Sequence, residues 1–383
     1  MRRFFYLLLC VLIVSGCTKT EPLSDFEKIS PQQALSIVQN MDISTQGLSS
    51  WNDLLEPLSH SLDYAAKRPQ NQFAIQTGTL QLTWGEIKKS LALLLELLPF
   101  LDRHPELLAE QFTWYRHTKG CLFTGYYEPT LMASPQPDPQ YPWPMYGLPD
   151  DLLTADLGLF HPRWQGQQLV YRLVNGRIEP YWDRQSIDRH KILQGKNLEL
   201  AWAADEIDVF FLQIQGSGRL VYPNGSSQHI VYAGKNGHEY VSLGKIMLER
   251  GLLEPGKVNM PAIRRVLEQH PELRSELLDT NPSYVFFRLL EDGPFGAMGK
   301  KLTPWVSLAC DKKLFALGGI MAFSVKLPQN APALQGIGLP QDVGGAIKGS
   351  HLDLFCGAGE KAEHIAGHLQ ETGQVWLLVS RQE

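Results

Sequence analysis

The sequence lacks the short motifs of several common chemistries. It has no zinc-type spacing of cysteine and histidine, no phosphate-binding P-loop and no glycine fingerprint for dinucleotides. The net charge is −5, so no overall basic field is available to hold nucleic acid. We therefore expect no metal site, no cofactor and no nucleic-acid partner.

Cysteines are also few, and their number is informative. Of the five in the chain, Cys10 and Cys17 lie in the N-terminal 17 residues. Cys121, Cys310 and Cys356 remain, and an odd number argues against a full disulfide framework. We expect three buried thiols, although one disulfide beside one free thiol is the alternative.

The N-terminus has the pattern of an export signal. Two arginines precede the apolar run 4–14, which is too short to cross a membrane as a mature helix. The segment ends in Ser-Gly-Cys17 and resembles the bacterial lipobox, in which the signal (1–16) is removed and Cys17 is lipidated. Thr18 in place of Asp implies sorting to the outer membrane, on its periplasmic face, in a Gram-negative bacterium. A plain signal peptide or a short anchor helix is the alternative.

A chain of 383 residues is long enough for two domains. We expect a polar tether over 17–29 and then a mainly helical segment. Ser30 before Pro31 predicts a helix start, Thr83 with Glu86 predicts a second one, and that second helix is expected to end near Pro99.

After residue 120 the pattern becomes mainly β. Asn175-Gly176 predicts a hairpin between two apolar runs. Apolar and polar residues alternate in part over 208–222, which predicts a strand. Such a strand would place Gln213 and Gln215 on one face. Strands and helices do not alternate as in a doubly wound fold, so we predict mixed β structure with a barrel.

The densest functional signal is the run 341–349 (QDVGGAIKG), where Asp342 precedes two glycines. Glycines allow a ligand to approach the backbone closely. Asp311 and Asp353 stand in apolar strand-like contexts, where an aspartate is rarely buried without a partner. Turn capping by these side chains is the alternative. An aspartic protease would need two such aspartate–glycine motifs, whose aspartates share a proton, and this sequence has only the one at Asp342.

Several motifs together resemble one family. The run 341–349 with Asp353 is similar to the 3D domain, named for three aspartates that match Asp311, Asp342 and Asp353. Segments 123–129 (FTGYYEP), 211–219 (FLQIQGSGR) and 281–287 (NPSYVFF) resemble the membrane-bound lytic murein transglycosylase A family, and the resemblance covers roughly residues 110–380.

The resemblance implies a mainly β fold with helices. A double-psi β-barrel domain would hold residues 30–130 and 276–383, including the N-terminal helices. A second barrel-like domain over 131–275 would be inserted into it, with a glycan groove between the two.

The resemblance also implies an activity: cleavage of the β-1,4 bond between N-acetylmuramic acid and N-acetylglucosamine, leaving a 1,6-anhydro ring. Asp342 would donate a proton and then accept one, which requires a raised pKa. A neighbouring carboxylate such as Asp353 would raise that pKa, and a close Lys348 would lower it. Asp311 and Asp353 are expected to support the site, and Glu128 is a second candidate acid.

Peptidoglycan strands are therefore the expected partner of a chain that is expected to be a monomer. His229, His351 and His364 are expected to be structural or solvated. A hydrolase of the same fold and a non-catalytic glycan-binding lipoprotein are the alternatives. The expected sugar-contacting residues are Thr124, Tyr126, Tyr127, Gln213, Gln215, Ser217, Gly218, Gly345, Ala346 and Lys348.

Overall fold

The computed structural model describes residues 25–78, 80–328 and 332–381. The expected signal peptide (1–16), the expected lipid attachment at Cys17 and the first part of the expected tether lie outside these residues. Among the described helices, none combines the length and the apolar character needed to cross a bilayer.

The described residues are mainly β with helices, as the sequence predicted. The α-helices are α1 (Pro31–Gln39), α2 (Leu55–Ala66), α3 (Trp84–Leu101), α4 (Leu107–Gln111), α5 (Arg184–Asp188), α6 (Glu206–Gln215), α7 (Leu243–Glu249), α8 (Met260–Gln269), α9 (Pro271–Asp279) and α10 (Glu360–His368). The strands are β1 (Phe26–Lys28), β2 (Phe73–Thr77), β3 (Leu80–Thr83), β4 (Phe112–His117), β5 (Cys121–Glu128), β6 (Thr130–Ser134), β7 (Trp143–Tyr146), β8 (Leu153–Asp156), β9 (Gln168–Val174), β10 (Arg177–Pro180), β11 (Glu199–Ala203), β12 (Ser217–Val221), β13 (Ser227–Lys235), β14 (Val285–Leu290), β15 (Ser307–Ala309), β16 (Met321–Val325), β17 (Leu334–Asp342), β18 (His351–Ala358) and β19 (Gln370–Ser380).

The N-terminal helices begin where the sequence predicted. Ser30 caps α1 and Thr83 caps α3, each within a capping box. Helix α3 ends at Leu101, near Pro99 as expected, and Pro99 lies in its last turn. Leu98 and Leu101 are both buried, and their packing holds the last turn in place.

The expected tether is wrong at its C-terminal end. Residues 26–28 form β1, which pairs with β4. Phe26 is buried, and its ring meets those of His117 and Phe315 edge to face. The burial of Phe26 and Ile29 and the pairing with β4 place the end of this polar stretch in the main sheet.

Six strands close into the predicted barrel. Their order is β19–β16–β17–β15–β18–β5, and β5 pairs back onto β19. Strand β15 runs parallel to β17 and β18 runs parallel to β5, while the other pairs are antiparallel. Strands β4 and β1 extend the sheet outward from β19.

A second sheet has the order β14–β13–β12–β6–β11–β7. A bridge between Gly147, just after β7, and Phe287 in β14 joins its two ends, so it also curls into a barrel-like body. A separate small sheet holds β10, β9 and β8. Its hairpin turn is at Asn175 and Gly176, as predicted, and both have positive φ.

These pairings revise the expected domain boundary at residue 275. Strand β14 lies beyond it, yet pairs with β13 in the second sheet. We therefore propose that the inserted domain spans 130–290, and that 25–129 and 291–381 form the barrel domain with its helices.

The expected strand over 208–222 is wrong in its first half, which forms helix α6. Asp205 caps the start of α6, and Gly216 ends it in the left-handed conformation with φ of 80°. Most of α6 is buried, and a short apolar run alone does not distinguish a buried helix from a buried strand. Gln213 and Gln215 therefore do not share a strand face.

The N-terminal helices and the main barrel share one apolar core. Leu58 on α2, Leu91 and Leu94 on α3 and Leu339 on β17 are all fully buried in it. Burying one such side chain is worth about 1.5–3 kcal/mol. The helical segment is thus part of the barrel domain and not a separate unit.

A buried glutamine fixes α2 to the end of β17. Gln341 is 1% exposed. Its Nε2 donates to the carbonyl of Pro57 at 2.8 Å and to the hydroxyl of Ser61 at 3.0 Å, while its Oε1 accepts from Ser307 at 2.6 Å. The residue next to it in the chain, Asp342, is thereby held in a fixed position.

Candidate active site

Three strands bring two of the predicted acids into one row across the barrel sheet. Ala309 on β15 is the register partner of both Asp342 on β17 and Asp353 on β18. Asp353 is in turn the partner of Thr124 on β5. Register partners point to the same face and adjacent strands lie about 4.8 Å apart, so the two aspartate α-carbons are about 10 Å apart.

Asp342 is half-buried at the end of β17 and receives three hydrogen bonds. Its Oδ1 accepts from the backbone N–H groups of Ala297 at 2.8 Å and Val343 at 2.9 Å, and its Oδ2 accepts from the Tyr126 hydroxyl at 2.9 Å. Burial raises the pKa of Asp342 to about 6, although all three hydrogen bonds favour the ionised form.

Burial also raises the pKa of Asp353, the second acid of the row. Thr124 donates its hydroxyl to Oδ1 of Asp353 at 2.6 Å, and its Oγ1 is 2.9 Å from Nε2 of His351. Burial raises the pKa of Asp353 to about 7; the Thr124 hydrogen bond opposes this rise and the charge of Asp342 adds to it. The pKa values of both acids are thus raised, mainly by burial.

The third predicted acid, Asp311, has a different environment. Its two carboxylate oxygens accept from the backbone N–H groups of Lys313 at 3.0 Å and Gly349 at 2.9 Å. Burial pushes the pKa of Asp311 up, but these hydrogen bonds and the charges of Lys348 and Lys313 lower it overall. Asp311 therefore caps a turn, and the charge of Lys348 acts on Asp311 and not, as considered from the sequence, on Asp342.

The glycine-rich loop after Asp342 is open to solvent. Gly345, Ala346 and Lys348 are exposed there, and the loop is held down by Ile347, which is 5% exposed. Gly344 packs on Ile347 so closely that a Cβ would lie 2.5 Å from its Cγ1. The loop therefore has a fixed base and accessible residues beside Asp342.

The β5 residues predicted to contact sugar have distinct surroundings. Tyr126 is 7% exposed and directs its hydroxyl to Asp342, so it holds the acid instead of offering an open ring. Tyr127 is half-buried and donates to Glu363 at 3.1 Å. Among these residues Thr124, half-buried beside Asp353, lies in the row of acids.

The predicted glutamines both accept hydrogen bonds from other parts of the protein. Gln213 is buried and accepts from Nη2 of Arg184 at 2.6 Å. Gln215, at the end of α6, accepts from the backbone N–H of Tyr127 at 3.0 Å. The side-chain carbonyl oxygens of both glutamines are therefore already occupied by protein donors.

Ser217 and Gly218 are the first two residues of β12, and both are buried. A Cβ on Gly218 would lie 2.6 Å from Cδ1 of Leu212 and 3.0 Å from the carbonyl of Pro129. A glycine is needed here for close packing between β12 and the start of β6.

Glu128, the second candidate acid, is 3% exposed and already paired. Its Oε1 is 2.6 Å from Nδ1 of His229, and its Oε2 is 3.8 Å from Nη2 of Arg219. The structure does not bring it into the row that holds Asp342 and Asp353.

The loop that supplies the Ala297 N–H was not predicted from the sequence. Gly296 in that loop would place a Cβ 2.6 Å from the carbonyl of Gln341 and 3.3 Å from Cβ of Asp342. The glycines at 296 and 299 are a signal of such a close approach, but nothing in the local pattern connects them with residue 342.

Cys121, Cys310 and Cys356 are buried free thiols, as predicted. In the part of the chain that the structure describes, no three histidine, cysteine or acidic side chains lie together as metal ligands would. His364 packs against His368 with ring centroids 4.5 Å apart.

We predict that Tyr126→Phe raises the pKa of Asp342 above its wild-type value, because it removes one donor that stabilises the carboxylate. Carbon-13 NMR of labelled aspartate carboxyls across a pH series measures this directly. Tyr127→Phe, which loses a contact with Glu363 instead, is the matched control. An unchanged or lower Asp342 pKa in Tyr126→Phe would show that this hydroxyl does not control the acid.

Comparison with known proteins identifies the family of the chain. The "MltA specific insert domain" family model matches residues 122–288, and the "3D domain" model matches residues 306–379. Membrane-bound lytic murein transglycosylase A of Vibrio cholerae is 34% identical over 267 residues, which are 68% of this chain and 65% of that protein. The match thus spans a little less than two thirds of that relative's length.

Solved structures have the same fold. A membrane-bound lytic murein transglycosylase from Agrobacterium tumefaciens superposes with a TM-score of 0.77 at 27% identity, covering 93% of this chain and 98% of that one. Escherichia coli MltA with bound chitohexaose has a TM-score of 0.65 at 24% identity, covering 86% and 90%, and this likeness concerns the fold alone. Both family models match the chain, and the similar proteins have the same family name. The chain therefore belongs to the membrane-bound lytic murein transglycosylase A family.

Proposed function

We propose that the protein is a lytic transglycosylase of peptidoglycan. It cleaves the β-1,4 bond between N-acetylmuramic acid and N-acetylglucosamine and leaves a 1,6-anhydro ring. The observation that carries this proposal is the half-buried carboxyl of Asp342, with a pKa of about 6, beside an exposed glycine-rich loop. Family membership supports the substrate class.

The reaction needs one group that gives a proton and then takes one. With a pKa of about 6, roughly a tenth of Asp342 is protonated at pH 7. Protonated Asp342 donates to the oxygen of the leaving sugar as the bond from that oxygen to C1 breaks. The resulting carboxylate accepts the proton of the substrate's C6 hydroxyl, whose oxygen forms the new bond to C1. The proton is returned, and no water is consumed.

The second acid favours this reaction over hydrolysis. An inverting hydrolase needs another carboxylate to activate water. Burial raises the pKa of Asp353 to about 7, so near neutral pH a large share of Asp353 is protonated and cannot accept a proton from water. Glu128 is buried against His229. We therefore propose that Asp353, which accepts a hydrogen bond from Thr124, supports the site and does not activate water.

The substrate is proposed to lie between the two barrel-like bodies, over Asp342. The loop of Gly345, Ala346 and Lys348 is accessible on one side. The related Escherichia coli protein was solved with bound chitohexaose, a polymer of the same amino sugar. A hydrolase and a non-catalytic glycan-binding protein are the competing functions.

We predict that Asp342→Asn lowers the rate of wall digestion by at least about 100-fold, because general acid catalysis is lost while the side-chain oxygen still accepts from Ala297 and Val343. Mass spectrometry of digested cell wall should show anhydro-muropeptides with the wild-type protein. Products heavier by one water would identify a hydrolase, and no products would leave glycan binding as the function.

Asp311→Asn is the matched control, because its amide oxygen can still accept from one of the two backbone N–H groups, of Lys313 or of Gly349, that Asp311 caps. It should keep activity within about tenfold of wild type, as expected for a turn-capping change. Full activity in Asp342→Asn would contradict the proposed role of that carboxyl.

We further propose that Cys17 is lipidated and anchors a monomer to the periplasmic face of the outer membrane. The lipobox-like Ser-Gly-Cys17 segment and the membrane-bound relatives support the anchor. Several acyl chains give stable attachment where one chain alone is marginal.

We predict that Cys17→Ser moves the protein from the membrane fraction to the soluble periplasmic fraction, because no lipid is attached. Cys10→Ser, within the expected signal, should leave the protein in the membrane fraction. Immunoblots of separated fractions test both variants. A Cys17→Ser protein that stays membrane-bound would contradict the lipid anchor.

A further inference from the structure

A cavity lies in the inserted domain, and its lining includes neither Asp342 nor Asp353. Its volume is about 720 Å³, within the range of small-molecule sites. It is bounded by the outer face of β7 and β11 on one side and by α5 and the residues that follow it on the other. We call this cavity the α5 slot.

One wall of the α5 slot is flat and apolar. Trp202 on β11 is the register partner of Pro144 on β7, and the neighbouring Ala201, Ala203 and Met145 are buried in the core of the second sheet. Because strand side chains alternate, Trp202 and Pro144 face the other way, toward the slot. Both are only half-buried.

The opposite wall is polar and rigid. Arg184, 3% exposed, donates to the carbonyls of Asn281 at 3.0 Å and Ser283 at 2.7 Å and to Gln213 at 2.6 Å, so it supports the wall from behind and is not itself open to a ligand. Arg189 is held by Glu206 at 2.9 Å. These groups are fixed before any ligand arrives, which lowers the entropic cost of binding.

The slot is also nearly balanced in charge, with four acidic and three basic side chains in its lining. A flat apolar wall opposite fixed hydrogen-bonding groups suits a sugar ring, which has an apolar face and a rim of hydroxyl and amide groups. A charged peptide would favour a slot with a net charge.

The α5 slot is separate from the row of Asp342 and Asp353. Helix α6 has Glu206 in the slot at its first residue, and its last residue, Gln215, bonds to Tyr127 on β5. The slot reaches Phe210, which is about 7.5 Å along the helix from Gln215, and its lining includes neither Asp342 nor Asp353. We propose that the α5 slot is an auxiliary glycan site that binds N-acetylated amino sugars. That these belong to a peptidoglycan strand rests on the proposed function.

Fluorine NMR of the full chain labelled with 5-fluorotryptophan tests this site. Trp202→Phe assigns the Trp202 resonance, and N-acetylated chitotriose is the probe. The Trp202 resonance should shift saturably, while that of Trp164, which packs under Arg163 outside the slot, should not. A Trp202 resonance that chitotriose leaves unmoved, or that responds only to a peptidoglycan stem peptide, would overturn the proposal.

Binding to whole cell wall gives a second measurement. In an Asp342→Asn background, co-sedimentation with purified peptidoglycan should weaken at least fivefold on Trp202→Ala and remain unchanged on Trp164→Ala. Equal binding by all three proteins would count against the slot.

The two proposals fail in distinguishable ways. If the wild-type protein releases anhydro products but Trp202 stays silent, the α5 slot alone is wrong. If Trp202 responds to chitotriose but no anhydro products form, the slot is supported and the proposed function is wrong.

Discussion

The site depends on two carboxyl groups that are placed in a sheet without a cationic partner. Asp342 and Asp353 flank Ala309 in one row, next to an apolar cluster that includes Tyr126 and Phe355. Within the described residues, neither carboxylate forms an ion pair with lysine or arginine. Their donors are neutral, and three of them are insufficient to cancel the cost of burying the charge at Asp342. A carboxyl that holds its proton up to a pH of about 6 is the direct consequence, and this property makes it useful as an acid.

The rest of the fold keeps that arrangement in place. The barrel is closed, so β15, β17 and β18 cannot shift relative to one another without breaking the ring of strands. Gln341, the residue before Asp342, is hydrogen-bonded to α2. The N-terminal helices also share the apolar core of the barrel. The Ala297 N–H comes from a loop that approaches closely because residue 296 is glycine. Together these contacts set the position of the acid more firmly than its own strand could.

The sequence predicted the local features well and the long-range ones poorly. Capping boxes and the Asn175-Gly176 turn are encoded within a few residues, and both were confirmed. Helix α6 was read as a strand because a buried apolar run has no distinct period. The bond between Tyr126 and Asp342 spans 216 residues of sequence, so no local pattern could reveal it. The family resemblance indicated Asp342 as the acid, but only the structure separates its environment from the turn-capping one of Asp311.

Folding buries the Asp342 carboxyl at a cost to its ionised form. A group whose pKa rises from 3.8 to about 6 on folding gives stability that is present below pH 4 and is lost as pH rises through 6. The direct measurement is the unfolding free energy of wild type and Asp342→Asn from pH 4 to pH 8. We expect the unfolding free energy of Asp342→Asn, relative to that of wild type, to rise by about 1–3 kcal/mol from pH 4 to pH 8. A difference that stays flat, or that falls with rising pH, would contradict it.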